Sequence, residues 1–317
     1  MKRRVNLGLV GFGRWGRVYA KTINDLEGIN LSTVASGKPD IGSLVPADCS
    51  VTSDWRNLIT DAGLDGIILT VPPQAQVDIA EAALEAGIPV LLEKPLALDL
   101  DSAQRLVRVA EQNRSFAMVD HTHLFHPAYL YLKERLADSG GADSVTWIFA
   151  EAGNWGPFRS AIPVLWDWGA HDVAMVLDIM DRSPLRVSAS NLERRKQKGG
   201  IGERIEMRIE FEKFSATILL DNLRPDKKRL FEVQADEVVL RYDGVAMENF
   251  ASRPASGADW DSKVIEGPLP LENVLLEFAD GIRAGSNNQD GLCLGVNVVA
   301  VLEMCQLSLE RGGWVSI

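Results

Sequence analysis

Two hydrophobic periodicities divide the chain. Up to about residue 120, short continuous apolar runs alternate with stretches in which apolar residues recur every three or four positions. The runs Val5–Val10, Leu31–Ala35, Gly66–Val71, Val90–Leu92 and Ser115–Val119 read as strands. Between them, Gly16–Leu26 and Ala75–Ala86 read as helices, the second closed by Gly87. A further helix follows Asp99, a residue suited to cap it, with Leu100, Ala103, Leu106, Val107 and Ala110 on one face. Strands without polar alternation are buried on both faces, which predicts a parallel, doubly wound α/β sheet.

Beyond about residue 140 the period becomes two. Ile205, Met207, Ile209 and Phe211 alternate with Glu206, Arg208, Glu210 and Glu212. Similar alternation around Leu185–Asn191, Phe231–Ala235 and Val238–Tyr242 predicts an antiparallel-rich sheet with one face covered. Two helices should follow, near Glu272–Ala284 and Gly291–Glu310. The change of period places a boundary near residues 120–127, giving domains of 1–122 and 123–317.

Composition narrows the function. At 317 residues, 46% hydrophobic and 24% charged, the chain is long enough for two domains and is neither disordered nor fibrous. Its 33 basic and 44 acidic residues leave a net charge of −11, which argues against nucleic acid as the partner. The cationic runs Arg194-Arg195-Lys196 and Lys227-Lys228-Arg229 therefore read as solvated strand ends. The three cysteines, Cys49, Cys293 and Cys305, lack any CxxC spacing, as expected in a reducing cytosol rather than in a disulfide framework or zinc site. The N-terminal apolar stretch is broken by glycine and followed by Arg14 and Arg17, unlike a signal peptide. Uncharged runs such as 291–302 fall short of the roughly 20 residues of a membrane span, so a cytoplasmic protein without a membrane partner is expected.

Gly11-Phe12-Gly13-Arg14-Trp15-Gly16 is a GxGxxG motif between a predicted strand and a predicted helix, the context in which it binds a dinucleotide. The first glycine permits the tight turn, the second lets a pyrophosphate approach, and the third lets helix and strand pack closely. About 20 residues further on, NAD-binding chains place an acid against the ribose 2′-OH. This chain has Ser36 there with Lys38 beside it, which favours the 2′-phosphate of NADP, while Asp40 keeps NAD open.

Glu93-Lys94-Pro95 ends a strand of the parallel sheet, where a lysine faces the cofactor cleft. Asp167 and His171 are four apart and share a face if that segment is helical, a pairing suited to general acid–base work. His121, His123 and His126, with Asp120, invite a metal, although sugar contact or a structural role is favoured over zinc. Trp155, Trp166 and Trp168 flank the Asp167 segment and are candidates for stacking on a sugar or for core packing. Arg159 is a candidate for a substrate phosphate or carboxylate, or is a solvated loop charge.

Five pieces together resemble the Gfo/Idh/MocA oxidoreductases, which include glucose–fructose oxidoreductase and inositol 2-dehydrogenase. They are GLVGFGRWG, Leu69-Thr70-Val71-Pro72-Pro73, AALEAGIPVLLEKPLAL, the Asp167/His171 pair, and the tail from LLEFADGIRAG to LSLERG. The resemblance implies an N-terminal Rossmann domain and a C-terminal α+β domain whose large open-faced sheet joins copies into homodimers or homotetramers. It implies NAD(P)-dependent hydride transfer at a carbinol or keto carbon of a sugar, nucleotide-sugar or polyol. By position, His171 would exchange the hydroxyl proton, Lys94 would hydrogen-bond the same oxygen, and Asp167 would hold substrate or orient His171. Val71, Pro72, Glu93 and Thr122 join the motif residues around the cofactor, and His121, His123, Arg159 and Trp166 fall to the substrate. Two places depart from the family pattern: Gln76 stands where many relatives have histidine, and Thr122-His123 where many have Asn-Arg. The rival readings are a non-catalytic regulatory relative that binds dinucleotide and sugar, and an NAD-dependent glycosidase with no net redox change.

Overall fold

The continuous apolar runs become a parallel sheet whose central strands are buried along almost their whole length. The computed structural model describes residues 3–38, 41–61, 63–158 and 162–317. In chain order the first elements are β1 (Val5–Val10), α1 (Arg14–Asp25), β2 (Ile29–Ala35), β3 (Ser50–Thr52) and α2 (Arg56–Ile59). They continue with β4 (Gly66–Leu69), α3 (Pro73–Glu85), β5 (Val90–Glu93), α4 (Leu100–Asn113) and β6 (Ala117–Asp120). The sheet order is β3-β2-β1-β4-β5-β6, all parallel. The order reverses between β1 and β4, the switch point where ligands bind such sheets. The Asp99 side chain caps α4 as the sequence suggests, accepting from the Ser102 amide at 2.7 Å. Strand β3 was not legible, because three half-exposed edge residues carry no periodicity.

The second set begins with α5 (Pro127–Asp138), β7 (Val145–Trp155), α6 (Val164–Asp167), α7 (Gly169–Met180), β8 (Arg186–Gln197) and β9 (Gly200–Glu210). It continues through β10 (Ser215–Asp221), β11 (Leu223–Ala235), β12 (Val238–Asp243), β13 (Phe250–Pro254) and β14 (Asp261–Lys263). Helices α8 (Pro270–Arg283) and α9 (Asp290–Arg311) and the short strand β15 (Val315–Ser316) complete the chain. The second sheet runs β14-β13-β12-β11-β7-β10-β9-β8-β15. It is antiparallel except where β7 lies parallel to β10. Ile205, Met207 and Ile209 are buried on its covered face, as their alternation with charged residues requires.

The described chain forms two units, Met1–Thr122 with Leu269–Val296, and His123–Pro268 with Asn297–Ile317. Helix α8, which chain order assigns to the second domain, packs with the first unit. A Cβ on Gly66 would lie 2.8 Å from Ile282 Cδ1, and Phe278 stacks on Phe116 at 5.7 Å. Contacts this distant in sequence leave no local pattern. Helix α9, 22 residues long, is long and apolar enough to cross a membrane by length and composition, longer than the uncharged run within it suggests. Its Val298, Val299, Val301, Leu302 and Cys305 are buried in the second unit.

Candidate active site

The glycine loop closes the switch point of the first unit. The three glycines differ in what a side chain would meet. A Cβ on Gly11, whose φ is +95°, would lie 2.7 Å from the Thr70 carbonyl oxygen. On Gly16 it would lie 2.2 Å from the Gly11 oxygen, whereas on Gly13 it would meet nothing within 4 Å. Two glycines are thus required by packing, and the third faces open space. The Thr70 hydroxyl donates to the Gly11 carbonyl at 2.8 Å and fixes the turn from β4. Gly13 is the N-cap of α1 with no side-chain cap, and the first helical turn carries no acid. With no acid in that turn and no side-chain cap on its amides, the loop fits a dinucleotide pyrophosphate. Phe12 is only 3% exposed and belongs to the core, leaving its backbone as what it can offer a ligand, while Trp15 is 48% exposed.

At the end of β2 the Ser36 amide donates to the Thr52 carbonyl at 2.9 Å, and the Ser36 hydroxyl accepts from the Lys38 amide at 3.2 Å. Asp40 and Arg159 lie outside the described residues. Val71 and Pro72 follow β4 on the way into α3, with Pro72 as its N-cap.

The C-terminal ends of β5 and β6 carry a buried acidic cluster in which Glu93 pairs in register with Asp120. Tyr19, from α1, donates to Asp120 Oδ2, and Thr122 donates to Asp120 Oδ1 at 2.7 Å. Burial pushes Glu93 up to about 8, with Asp120 adding to the rise and Lys94 and Tyr19 opposing it. Burial raises Asp120 as well, and it raises the Tyr19 hydroxyl far above its usual range. The adjacent loop, which bears Lys94, is braced by Gln76 of α3. Gln76 Nε2 donates to the carbonyls of Glu93 at 2.8 Å, Pro95 at 3.2 Å and Leu96 at 3.3 Å. One amide group thereby ties together three carbonyls at the end of β5 and just beyond it. His121 is 3% exposed and neither ring nitrogen has a hydrogen-bond partner. Burial, then the Lys94 charge, lower it to about 3, so the ring is neutral. A buried imidazole with two unsatisfied nitrogens is uncommon unless a ligand or water completes it. Sequence reasoning passed over Tyr19, whose only signal was a polar residue on an apolar helical face, and marked Gln76 as a departure from the family pattern without assigning it this brace.

In the second unit Asp167 and His171 do not share one helix. Asp167 ends α6, Trp168 intervenes, and α7 begins at Gly169, although amide bonds from Trp168 to Val164 at 2.9 Å and from His171 to Trp168 at 3.0 Å carry the turn through. The His171 ring meets His123 edge to face, with centroids 4.9 Å apart and planes at 88°. His123 Nδ1 lies 2.9 Å from the Tyr242 hydroxyl. Next to His171 on α7, Asp172 is fully buried and pairs with Arg229 at 2.9 Å, although its Oδ1 has no partner. Burial raises Asp172 and Arg229 opposes the rise. Arg229 therefore corrects the expectation of a solvated strand end. Its guanidinium answers a buried carboxylate, while Lys227 stays exposed.

The three clustered histidines go separate ways. His121 belongs to the first unit, His123 bonds Tyr242, and His126 caps α5 by accepting from the Ala128 amide at 3.1 Å. Among the described residues no group of three His, Cys, Asp or Glu side chains is arranged for a metal ion. Trp166 is 7% exposed and packs in the core, whereas Trp155 stands largely in solvent.

The first unit is a doubly wound domain whose glycine loop fits a dinucleotide, and the second is built on a nine-stranded, mostly antiparallel sheet. Residues 5–121 match the family described as "Oxidoreductase family, NAD-binding Rossmann fold", GFO_IDH_MocA. A crystal structure of a "putative oxidoreductase" from Magnetospirillum magnetotacticum MS-1 is 35% identical, with a TM-score of 0.88 over 95% of this chain and 99% of that one. The chain belongs to the Gfo/Idh/MocA oxidoreductase family. Inositol 2-dehydrogenase 4 of Saccharopolyspora erythraea is 34% identical over 141 residues, 42% of this chain and 41% of that protein. UDP-N-acetylglucosamine 3-dehydrogenase of Acidithiobacillus ferrooxidans is 26% identical over 187 residues, 57% of this chain and 56% of that protein. The chain thus spans about half the length of the curated relatives it matches.

Proposed function

We propose that this protein is an NAD(P)-dependent oxidoreductase acting on a secondary alcohol, or the corresponding ketone, of a sugar, nucleotide-sugar or polyol. The observation that carries the reading is the glycine loop: two glycines are demanded by packing, and Gly13 opens onto free space at an uncapped helix N-terminus. The polyhydroxylated substrates in the names of the two dehydrogenase relatives support the substrate class. Bound at that loop, the nicotinamide cofactor supplies hydride acceptance in one direction and donation in the other.

The chain's own residues then position groups and move a proton. Lys94 donates a hydrogen bond to the reacting oxygen and stabilises negative charge developing there. His171 takes the hydroxyl proton on oxidation and returns it on reduction. Asp167 orients His171 or the substrate. His121, neutral and unsatisfied, offers a donor and an acceptor to a substrate hydroxyl, and Thr122 steadies Asp120. Ser36 and Lys38 favour the 2′-phosphate of NADP, since a hydroxyl, its turn and a nearby cation stand where NAD-binding chains carry an acid. We place the protein in the cytoplasm, and its copies join through the open face of the second sheet.

Titrating the protein with NADPH and with NADH while exciting tryptophan tests the cofactor reading, because Trp15 lies in the first turn of α1, next to the loop. Saturable quenching that is tighter for NADPH is expected. His171→Ala should abolish turnover and leave cofactor affinity intact. Binding of neither nucleotide would remove the proposal's foundation.

A further inference from the structure

The proton that His171 is proposed to exchange belongs to a pair of imidazoles. His123 approaches it edge to face, with ring centroids 4.9 Å apart. Two imidazolium ions at that separation repel, so a proton on one ring disfavours a proton on the other. Which ring holds the first proton decides whether His171 can serve as the acid in the reducing direction. Sequence order does not decide it.

Tyr242 lies on the far side of His123. Its ring is fully buried and its hydroxyl is 2.9 Å from His123 Nδ1. The hydroxyl keeps its hydrogen at any ordinary pH, because burial raises it first of all, with Asp172 and Asp243 adding and Arg229 opposing. The other charged groups near the pair are largely spoken for. Asp172 and Arg229 neutralise each other at 2.9 Å, and Asp243 has Lys228 at 3.9 Å. His126 packs its ring 4.8 Å from Tyr242, but its Nδ1 already accepts from the Ala128 amide. Asp167, at the end of α6, is a further carboxylate in that segment and has an interaction of its own.

We propose that the Tyr242 hydroxyl donates to Nδ1 of His123, holds that ring neutral with its hydrogen on Nε2, and so assigns the pair's single proton to His171. Protonating His123 instead would place a hydrogen on Nδ1. The tyrosine hydroxyl would then have to turn and find another acceptor inside a fully buried site. His123 and Tyr242 are in this account positioning residues, acting through His171 rather than on substrate. Their role rests on the reading of His171 as the proton exchanger.

The chain has four histidines, so ¹⁵N-imidazole NMR of histidine-labelled protein, assigned by single substitutions, resolves each ring. In the intact protein His123 should show the Nε2–H tautomer and stay neutral through the pH range in which His171 takes its proton. Tyr242→Phe removes the donor, so His123 should gain proton affinity by about tenfold, one pH unit, and His171 should lose a comparable amount. His123→Gln should leave His171 titrating as a single site above its position in Tyr242→Phe, and it keeps the test open if the tyrosine variant folds poorly. A wild-type Nδ1–H tautomer on His123, or a His171 titration unmoved by both substitutions, would overturn the proposal. The titration needs neither substrate nor cofactor. Shifted NMR curves with an unshifted pH profile of kcat/KM would therefore uphold the pairing and overturn the role of His171 in turnover.

Discussion

At the residue scale, the three loop glycines separate two demands that a motif merges. Gly16→Ala puts a methyl 2.2 Å from a backbone oxygen, so the strand–helix junction must shift. Overpacking of that kind costs about 1–3 kcal/mol, and both thermal stability and cofactor affinity should fall. Gly13→Ala meets nothing in the protein, so its Tm should fall only by what a poorer N-cap costs, less than for Gly16→Ala. Its methyl would nevertheless occupy the approach of the pyrophosphate, and NAD(P)H affinity should drop by tenfold or more, about 1.4 kcal/mol. Calorimetry beside the tryptophan titration distinguishes the two, and equal cofactor binding by Gly13→Ala and the parent would refute the assignment. The GxGxxG spacing was legible because the motif is local. The brace from Thr70 and the orphaned nitrogens of His121 were not, since both depend on what folding brings near.

At the element scale, the ends of β5 and β6 set two acids side by side, and strand register rather than sequence spacing does so. Glu93 is raised from its ordinary 4.5 to about 8. Between those values the unfolded chain has lost a proton that the folded chain keeps. Folding therefore takes up a proton, and this contribution to stability falls as pH rises, by up to about 1.4 kcal/mol per pH unit. Glu93→Gln is neutral throughout and should gain on the parent between pH 5 and pH 8, read from urea midpoints at each. Parallel pH dependences for the two proteins would count against a protonated Glu93. The alternating strands β8, β9 and β12 were foreseen because period two is unmistakable where one face is charged. The turn between α6 and α7 was not, because the helical offset of Asp167 and His171 gives no sign that Trp168 breaks the helix.

At the scale of the whole molecule, the proposed joining of copies falls on the second sheet. Trp147 and Phe149 sit on β7, fifth of the nine strands, and stack at 5.9 Å, with Trp147 36% exposed while Ile148 and Ala150 between and beyond them are buried. An aromatic pair in the middle of an open sheet is the composition of an interface core. Sedimentation equilibrium should give a multiple of the chain mass for the parent. Trp147→Glu with Phe149→Glu should give the monomer with its far-UV spectrum intact. A monomeric parent at micromolar concentration would leave that face without the proposed partner.

The sequence by itself determined the two periodicities, the glycine loop and the EKP strand end, because each depends on residues within one element or one turn. Tertiary structure alone decided that α8 packs with the first unit, that Arg229 answers a buried Asp172, and that His171 has a second imidazole against it with a tyrosine behind. The partners in those contacts are tens of residues apart in the chain. Burial and long-range pairing fix the protonation of Glu93, His121 and Asp172, and no local pattern records either.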